Sequence, residues 1–166
     1  MFLNGHSWFS LRYGVLSPKK LVEMAAEKGI RTLALTDLNN TSGALEFVSS
    51  CERAGIRPIL GIEFRRDGRL LFVGLARSRE GFFHLNRLLT DHSLDSKTLP
   101  DCCPTLPETF IIYPRLVKPI ELFEENEFLG VRPCQVAGLY SSSWKKRLDK
   151  LVVFSPITAP DAESFR

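Results

Sequence analysis

Apolar and polar positions along the chain change period several times, and each change predicts an element. Phe2–His6 is a short apolar-rich run that reads as a strand. Ser17-Pro18 then opens a helix, since a hydroxyl suits the N-cap and proline suits the first helical position. Leu21, Val22, Ala25 and Ala26 fall at helical spacing and are expected in the core, with Gly29 as the stop. Arg31–Thr36 (RTLALT) has the continuous apolar centre of a parallel strand covered on both faces. Asp37–Thr41 is a polar turn, which Asp37 is expected to cap. A second helix is predicted from Ser42 to Ala54, anchored by Leu45, Phe47 and Val48 and ended by Gly55. Arg57–Phe64 is the next strand.

Arg66-Asp67-Gly68-Arg69 predicts a tight hairpin, because Asp-Gly tolerates the positive φ angles it needs. Leu70–Ala76 returns as a strand. Arg79–His92 reads as a third helix with Phe82, Phe83, Leu85, Leu88 and Leu89 inside. A polar, proline-bearing connection spans 93–108. Beyond it come a strand at Thr109–Tyr113, a helix near Pro119–Glu124 and a strand at Glu127–Val131. A short helix at Pro133–Tyr140 and a last strand at Lys150–Phe154 complete the pattern. The alternation argues for an α/β fold, either barrel-like or doubly wound.

Composition narrows the class. The chain has 166 residues, is 44% hydrophobic and 25% charged, and carries a net charge of +3. That suits one globular domain, and the charge alone is too weak to imply nucleic-acid binding. No apolar run is long enough for a membrane span, and the first residues lack the layout of a signal peptide, so a cytoplasmic location is expected. The four cysteines show no metal-ligand spacing and are expected to be reduced thiols.

Residues 3–64 carry a more specific pattern. Gly5-His6-Ser7, Phe9-Ser10, Gly14, Leu21-Val22, Leu35-Thr36-Asp37, Gly43, Gly55-Ile56-Arg57-Pro58-Ile59 and Gly61-Ile62-Glu63 follow one another in order. This stretch resembles the N-terminal PHP (polymerase and histidinol phosphatase) domain of bacterial DNA polymerase III alpha subunits. Glu80-Gly81-Phe82 and Leu85-Asn86-Arg87-Leu88-Leu89 extend the likeness to about residue 92. Leu129–Pro133 and Lys150–Pro156 resemble a Bacteroidetes-type version of these subunits. The resemblance implies one PHP domain over 1–166, built as a distorted β/α barrel that need not be complete. Residues 1–92 carry the strongest likeness, 93–108 form a loop, 109–155 add β/α units, and 156–166 are a tail expected to be cut from a longer chain.

The family's site binds divalent cations through imidazoles and carboxylates at strand ends, to activate water against a phosphate ester. The resemblance places its early ligands at positions 4, 6, 13, 38 and 63. His6 and Glu63 match, whereas Asn4, Tyr13 and Leu38 replace ligands, and Asp37 lies nearby. His84 and His92 sit on the third predicted helix and do not replace what is missing. A degenerate site follows, with no cofactor expected and zinc or manganese at a residual site as the alternative. His6 also reads as an ordinary hydrogen-bonded histidine, and Glu63 as the partner of Arg31, Arg65 or another base. Arg65, Arg66, Arg69, Arg77 and Arg79 crowd one hairpin; such runs are usually solvated, and otherwise contact nucleic acid or a partner. Lys145-Lys146-Arg147 beside Trp144 has the same two readings.

The expected role is therefore that of a catalytically inactive PHP domain, structural or interactive, within a nucleotidyltransferase. Its partners would be the rest of the polymerase alpha subunit and replisome proteins, with DNA reached through the parent protein and no membrane. The alternatives are a metal-dependent phosphoesterase or 3'-5' proofreading nuclease using His6, Asp37 and Glu63, and a basic nucleic-acid-binding module.

Overall fold

The computed structural model describes residues 2–94, 98–139 and 143–157. Ser17 accepts a hydrogen bond from the Lys20 amide at 3.1 Å and, with Pro18, starts α1 (Pro18–Glu27) as the sequence predicts. It lies between β1 (Phe2–Gly5) and β2 (Thr32–Leu35). α2 (Ala44–Ala54) leads to β3 (Arg57–Arg66), and Gly55 ends α2 at φ 66°, a conformation that costs other residues more. β3 turns through Asp67 (φ 51°) and Gly68 (φ 75°) into β4 (Arg69–Ala76), as the Asp-Gly pair requires. α3 (Arg79–Leu94), β5 (Thr109–Tyr113), β6 (Glu127–Val131), the single-turn α4 (Val136–Leu139) and β7 (Leu151–Val153) follow.

The strands form one sheet in sequence order. β1–β2–β3 and β5–β6–β7 are parallel, and β4 runs antiparallel to both its neighbours. The sheet curls so that the segment after β7 returns to β1. The Gly5 and Ile157 backbones form a parallel bridge, in which His6 N–H donates to the Ile157 carbonyl at 2.9 Å and Ile157 N–H donates to the Asn4 carbonyl at 2.8 Å. Of the two arrangements left open by the βα alternation, the barrel type is the one formed.

Three apolar clusters hold it. One runs across the sheet, with Ala34, Val73, Ile112 and Phe154 joined by Leu3, Ile59, Phe128 and Val152, so strands from both edges share it. A second packs α1 and α2 against β2 through Leu21, Val22, Phe47 and Cys51. The third places Leu85 and Leu88 of α3 over Ile62, Phe64 and Phe72. Beneath it Tyr113 O–H donates to Glu127 at 2.8 Å, and Lys118 lies 2.6 Å from the other Glu127 oxygen. Burial pushes the Glu127 carboxyl up, but these partners outweigh it and leave it below its ordinary value.

Several details differ from the sequence expectation. α2 buries Ala44, Phe47 and Cys51, and Leu45, one position round the helix, is 87% exposed. α3 likewise buries Leu85 and Leu88 and leaves Phe83 58% exposed, and Ala26 of α1 faces solvent. The helix predicted near Pro119–Glu124 is a 3-10 turn at Ile120–Leu122, where Ile120 and Phe123 stack three apart toward the core. Pro133–Gln135 is also 3-10 and runs into α4. Tyr140, residues 158–166 of the tail and the side chains of Trp144, Lys145 and Lys146 lie outside the described residues, and Arg147 pairs with Asp149. Cys51, Cys102, Cys103 and Cys134 are free thiols. Among the described residues no helix is long and apolar enough to cross a membrane.

The β1–α1 loop folds back so tightly that a Cβ at Gly14 would overlap the Ser7 carbonyl. Gly14→Ala is expected to lower stability by about 1–3 kcal/mol, measured by urea unfolding of the 166-residue chain. Gly29→Ala meets open space and only strains φ (67°), so its cost should be about 1 kcal/mol.

Candidate functional site

Three segments converge at one end of the sheet: the end of β1 with its following loop, the loop after β2, and the middle of β3. The loop after β2 is fastened to β3 by a bridge between Leu38 and Glu63 and by the Asn39 amide, which donates to the Arg65 carbonyl and accepts from Arg65 N–H at 2.8 and 2.9 Å. The side-chain amide thus continues the strand pairing past the end of β2. This brings Leu38 to Glu63, at a position where the family resemblance calls for a ligand.

Glu63 is the centre of the site and is 1% exposed. One of its oxygens accepts from the Asn4 amide at 3.0 Å and faces His6 Nε2 at 3.0 Å. The other accepts from Arg65 Nε at 2.5 Å. Burial pushes the Glu63 carboxyl up, yet the His6 and Arg65 contacts together outweigh it and hold the group below its ordinary value. A carboxylate only accepts, so His6 carries its proton on Nε2 toward Glu63. His6 Nδ1 is then left buried without a partner. Asn4 is fixed from its other side, since Thr36 O–H donates to its carbonyl oxygen at 2.6 Å. The Arg65 guanidinium lies 4.3 Å from the centre of the Tyr13 ring. Tyr13, standing where a carboxylate ligand is expected, therefore supports the cation that neutralises Glu63.

Asp37 makes a separate knot. Its carboxylate accepts from Ser7 N–H and O–H, both at 2.7 Å, and from Ser10 O–H at 2.6 Å. Ser10 in turn accepts from Leu38 N–H at 3.0 Å. The expectation that Asp37 caps its own turn is thus corrected. It reaches back across the sheet and pins the β1–α1 loop, while Asn40 accepts from Ser42 N–H within the turn. Ser7 and Ser10 were not singled out as site residues. Both stand in the motif that carries the family resemblance, but their role does not show there, because their partner Asp37 lies about thirty residues away.

The five arginines grouped around the hairpin separate. Arg65 turns into the site. Its spacing of two from Glu63 on one strand, which puts both on one face, was the available signal. Arg66 and Arg69 share Asp101, at 3.0 and 2.5 Å. Arg77 and Arg79 flank the far end of β4, and Arg77 stacks 5.1 Å from the Phe110 ring centre. His84 and His92 stay on α3, where His92 bonds the Leu88 carbonyl and His84 faces Glu80.

The donor set does not fit a cluster of divalent cations. Asn4, Tyr13 and Leu38 offer no anionic or imidazole ligand, both Glu63 oxygens are engaged, and Asp37 is saturated by serines. An added cation beside Glu63 would also face the Arg65 guanidinium. Among the described residues no three or more His, Cys, Asp and Glu gather closely enough to hold a metal ion.

Comparison with known proteins accords with this frame. An error-prone DNA polymerase of Symbiobacterium thermophilum is 42% identical over 88 residues, covering 53% of this chain and 8% of that protein. The DNA polymerase III subunit alpha of Mycoplasma genitalium is 36% identical over 109 residues, covering 61% and 12%. An error-prone DNA polymerase of Corynebacterium diphtheriae is 27% identical over 94% of this chain and 13% of its own length. The chain thus spans roughly a tenth of these relatives. An amidohydrolase structure from Chromobacterium violaceum, with bound sulfate and no metal, superposes with a TM-score of 0.60 at 16% identity over 96% of this chain and 87% of that one, a likeness of fold. The model of the PHP domain family matches residues 3–115, and the chain belongs to that family.

Proposed function

We propose that this chain is a non-catalytic PHP module of a DNA polymerase of the III alpha or error-prone type, in which an internal guanidinium takes the electrostatic place of a metal cluster. The observation that carries this reading is the saturation of Glu63 by Asn4, His6 and Arg65, with Tyr13 stacked on the arginine. A carboxylate buried this deeply needs a counter-charge or a full set of hydrogen-bond donors; Asp37 has the donors, from Ser7 and Ser10, and Glu63 takes the counter-charge. In a metal-dependent phosphoesterase bound cations supply it and activate water; here Arg65 supplies it and offers no site for water activation. The module's work is then to hold a rigid barrel in the parent polypeptide, with the remainder of the polymerase and other replication proteins as its partners. Nucleotidyl transfer would belong to the parent protein outside these residues.

One observation favours the phosphoesterase or nuclease reading: the unpartnered His6 Nδ1, a buried nitrogen free to ligate. The two readings separate by metal content. Purified chain is expected to hold far less than one equivalent of zinc or manganese by elemental analysis, and to leave bis-p-nitrophenyl phosphate unhydrolysed. Stoichiometric metal with turnover lost in Glu63→Gln would overturn the proposal.

The pairing also has a pH signature. The folded Glu63 carboxyl lies below its ordinary value of 4.5, so its stabilising contribution is complete above that pH and is lost as pH falls through the lower folded value. Stability of the chain should therefore decline below pH 4.5, and Glu63→Gln should make the decline shallower while leaving the part due to Glu127. Arg65→Met strands a buried carboxylate and should cost about 3 kcal/mol at neutral pH. Protonating the stranded carboxylate relieves that cost, so the deficit should shrink as pH falls and the Glu63 part of the acid decline should flatten; both effects are measured by urea unfolding across pH.

A further inference from the structure

The arginines that Glu63 and Asp101 leave unused flank a groove at the opposite end of the strands. This groove, of about 260 Å³, lies between α2 and α3. Its floor is Val48, Ile59, Leu60 and Phe82, all half-buried, and Arg77 and Arg79 stand exposed on its rim. Among the described residues neither arginine has a carboxylate within ion-pair distance, whereas Arg65, Arg66 and Arg69 each do. Arg77 is nonetheless held in place, its backbone N–H donating to the Glu108 carbonyl at 2.9 Å and its guanidinium stacked on Phe110. Glu80, the nearest acid in sequence to Arg79, turns toward His84 instead, at 3.7 Å. The exposed Leu45 lies three residues before Val48 on α2, so the apolar strip continues along that helix face.

We propose that this groove docks an acidic, leucine-bearing peptide segment of a partner protein. Its apolar side chains would cover Val48, Leu60 and Phe82, and its carboxylates would pair with Arg77 and Arg79. Unpaired arginines around an apolar floor are complementary to such a segment in both charge and hydrophobicity. The lining favours peptide over nucleic acid. Single strands bind on aromatic faces along a basic track, and here three of the four floor residues are aliphatic. The groove lies away from Glu63, so this proposal does not depend on the metal reading.

The test is fluorescence anisotropy of the 166-residue chain with labelled synthetic probes. The probes are a peptide of alternating leucine and aspartate, its leucine–lysine counterpart, polyaspartate of the same length, and a single-stranded oligothymidylate. Only the leucine–aspartate peptide is expected to bind. Its affinity should fall about tenfold or more in the Arg77→Glu/Arg79→Glu double variant. It should also fall in Leu45→Asp, a surface change that spares the core. Arg115→Glu, exposed beyond the other end of β5, should bind as the parent does. Thermal melts matching the parent would exclude misfolding as the cause. Equal binding of polyaspartate, of the lysine peptide or of the oligothymidylate would overturn the proposal. So would self-association through the groove, binding that ignores the arginine reversals, or no binding by any probe.

Discussion

A carboxylate buried to 1% exposure must have its oxygens satisfied where it stands, and the arrangement around Glu63 follows from that requirement. Two uncharged or imidazole donors, Asn4 and His6, satisfy one oxygen, and the Arg65 guanidinium satisfies the other and supplies the opposite charge. Tyr13 then closes over the guanidinium and limits its exposure to solvent, which strengthens the ion pair it makes. Three residues that depart from the family's ligand pattern thereby fit one another. Asn4 donates where an imidazole nitrogen would have ligated, Tyr13 stacks on a cation where a carboxylate would have held one, and Leu38 contributes its backbone to the bridge with Glu63.

The barrel makes that concentration of polar groups tolerable. β1, β2 and β3 are parallel neighbours, so their ends reach the same edge and deliver His6, Asp37 and Glu63 together. The Asp37–Ser7–Ser10 knot ties the first loop down over them, and the bridge from Gly5 to Ile157 brings the last described segment against β1. The side chains of Asn4, His6, Ser7, Ser10, Asp37 and Glu63 are buried, where an unpaired group would cost most. Within the site, His6 Nδ1 is left in that state, and it sits in the residue the family would use as a ligand.

Much of the fold was legible in local patterns. Ser17-Pro18, Gly55 and Asp67-Gly68 act through their own backbone conformations, and the corresponding boundaries appear where expected. Leu45, Phe83 and Ala26 face outward although their spacing suits a buried face, because apolar character alone does not say which side of a helix meets the sheet. The face is chosen by residues such as Phe47 and Cys51 that reach the strands below. The 3-10 turn at Ile120–Leu122 differs from the expected helix for a related reason: two apolar residues three apart suit a single tight turn as well as a longer helix.

By itself the sequence determined the α/β frame, the family and the loss of ligating side chains at Asn4, Tyr13 and Leu38, because each is a property of residue type and short-range spacing. Only the tertiary structure decided what became of the charge left behind. Arg65 is one cation among five near the hairpin; its spacing of two from Glu63 marks it as a candidate partner, but the packed strands alone decide that Glu63 is buried beside it while Arg66 and Arg69 pair at the surface with Asp101. Ion pairing depends on distance and burial, and those quantities exist only once strands far apart in the chain lie side by side.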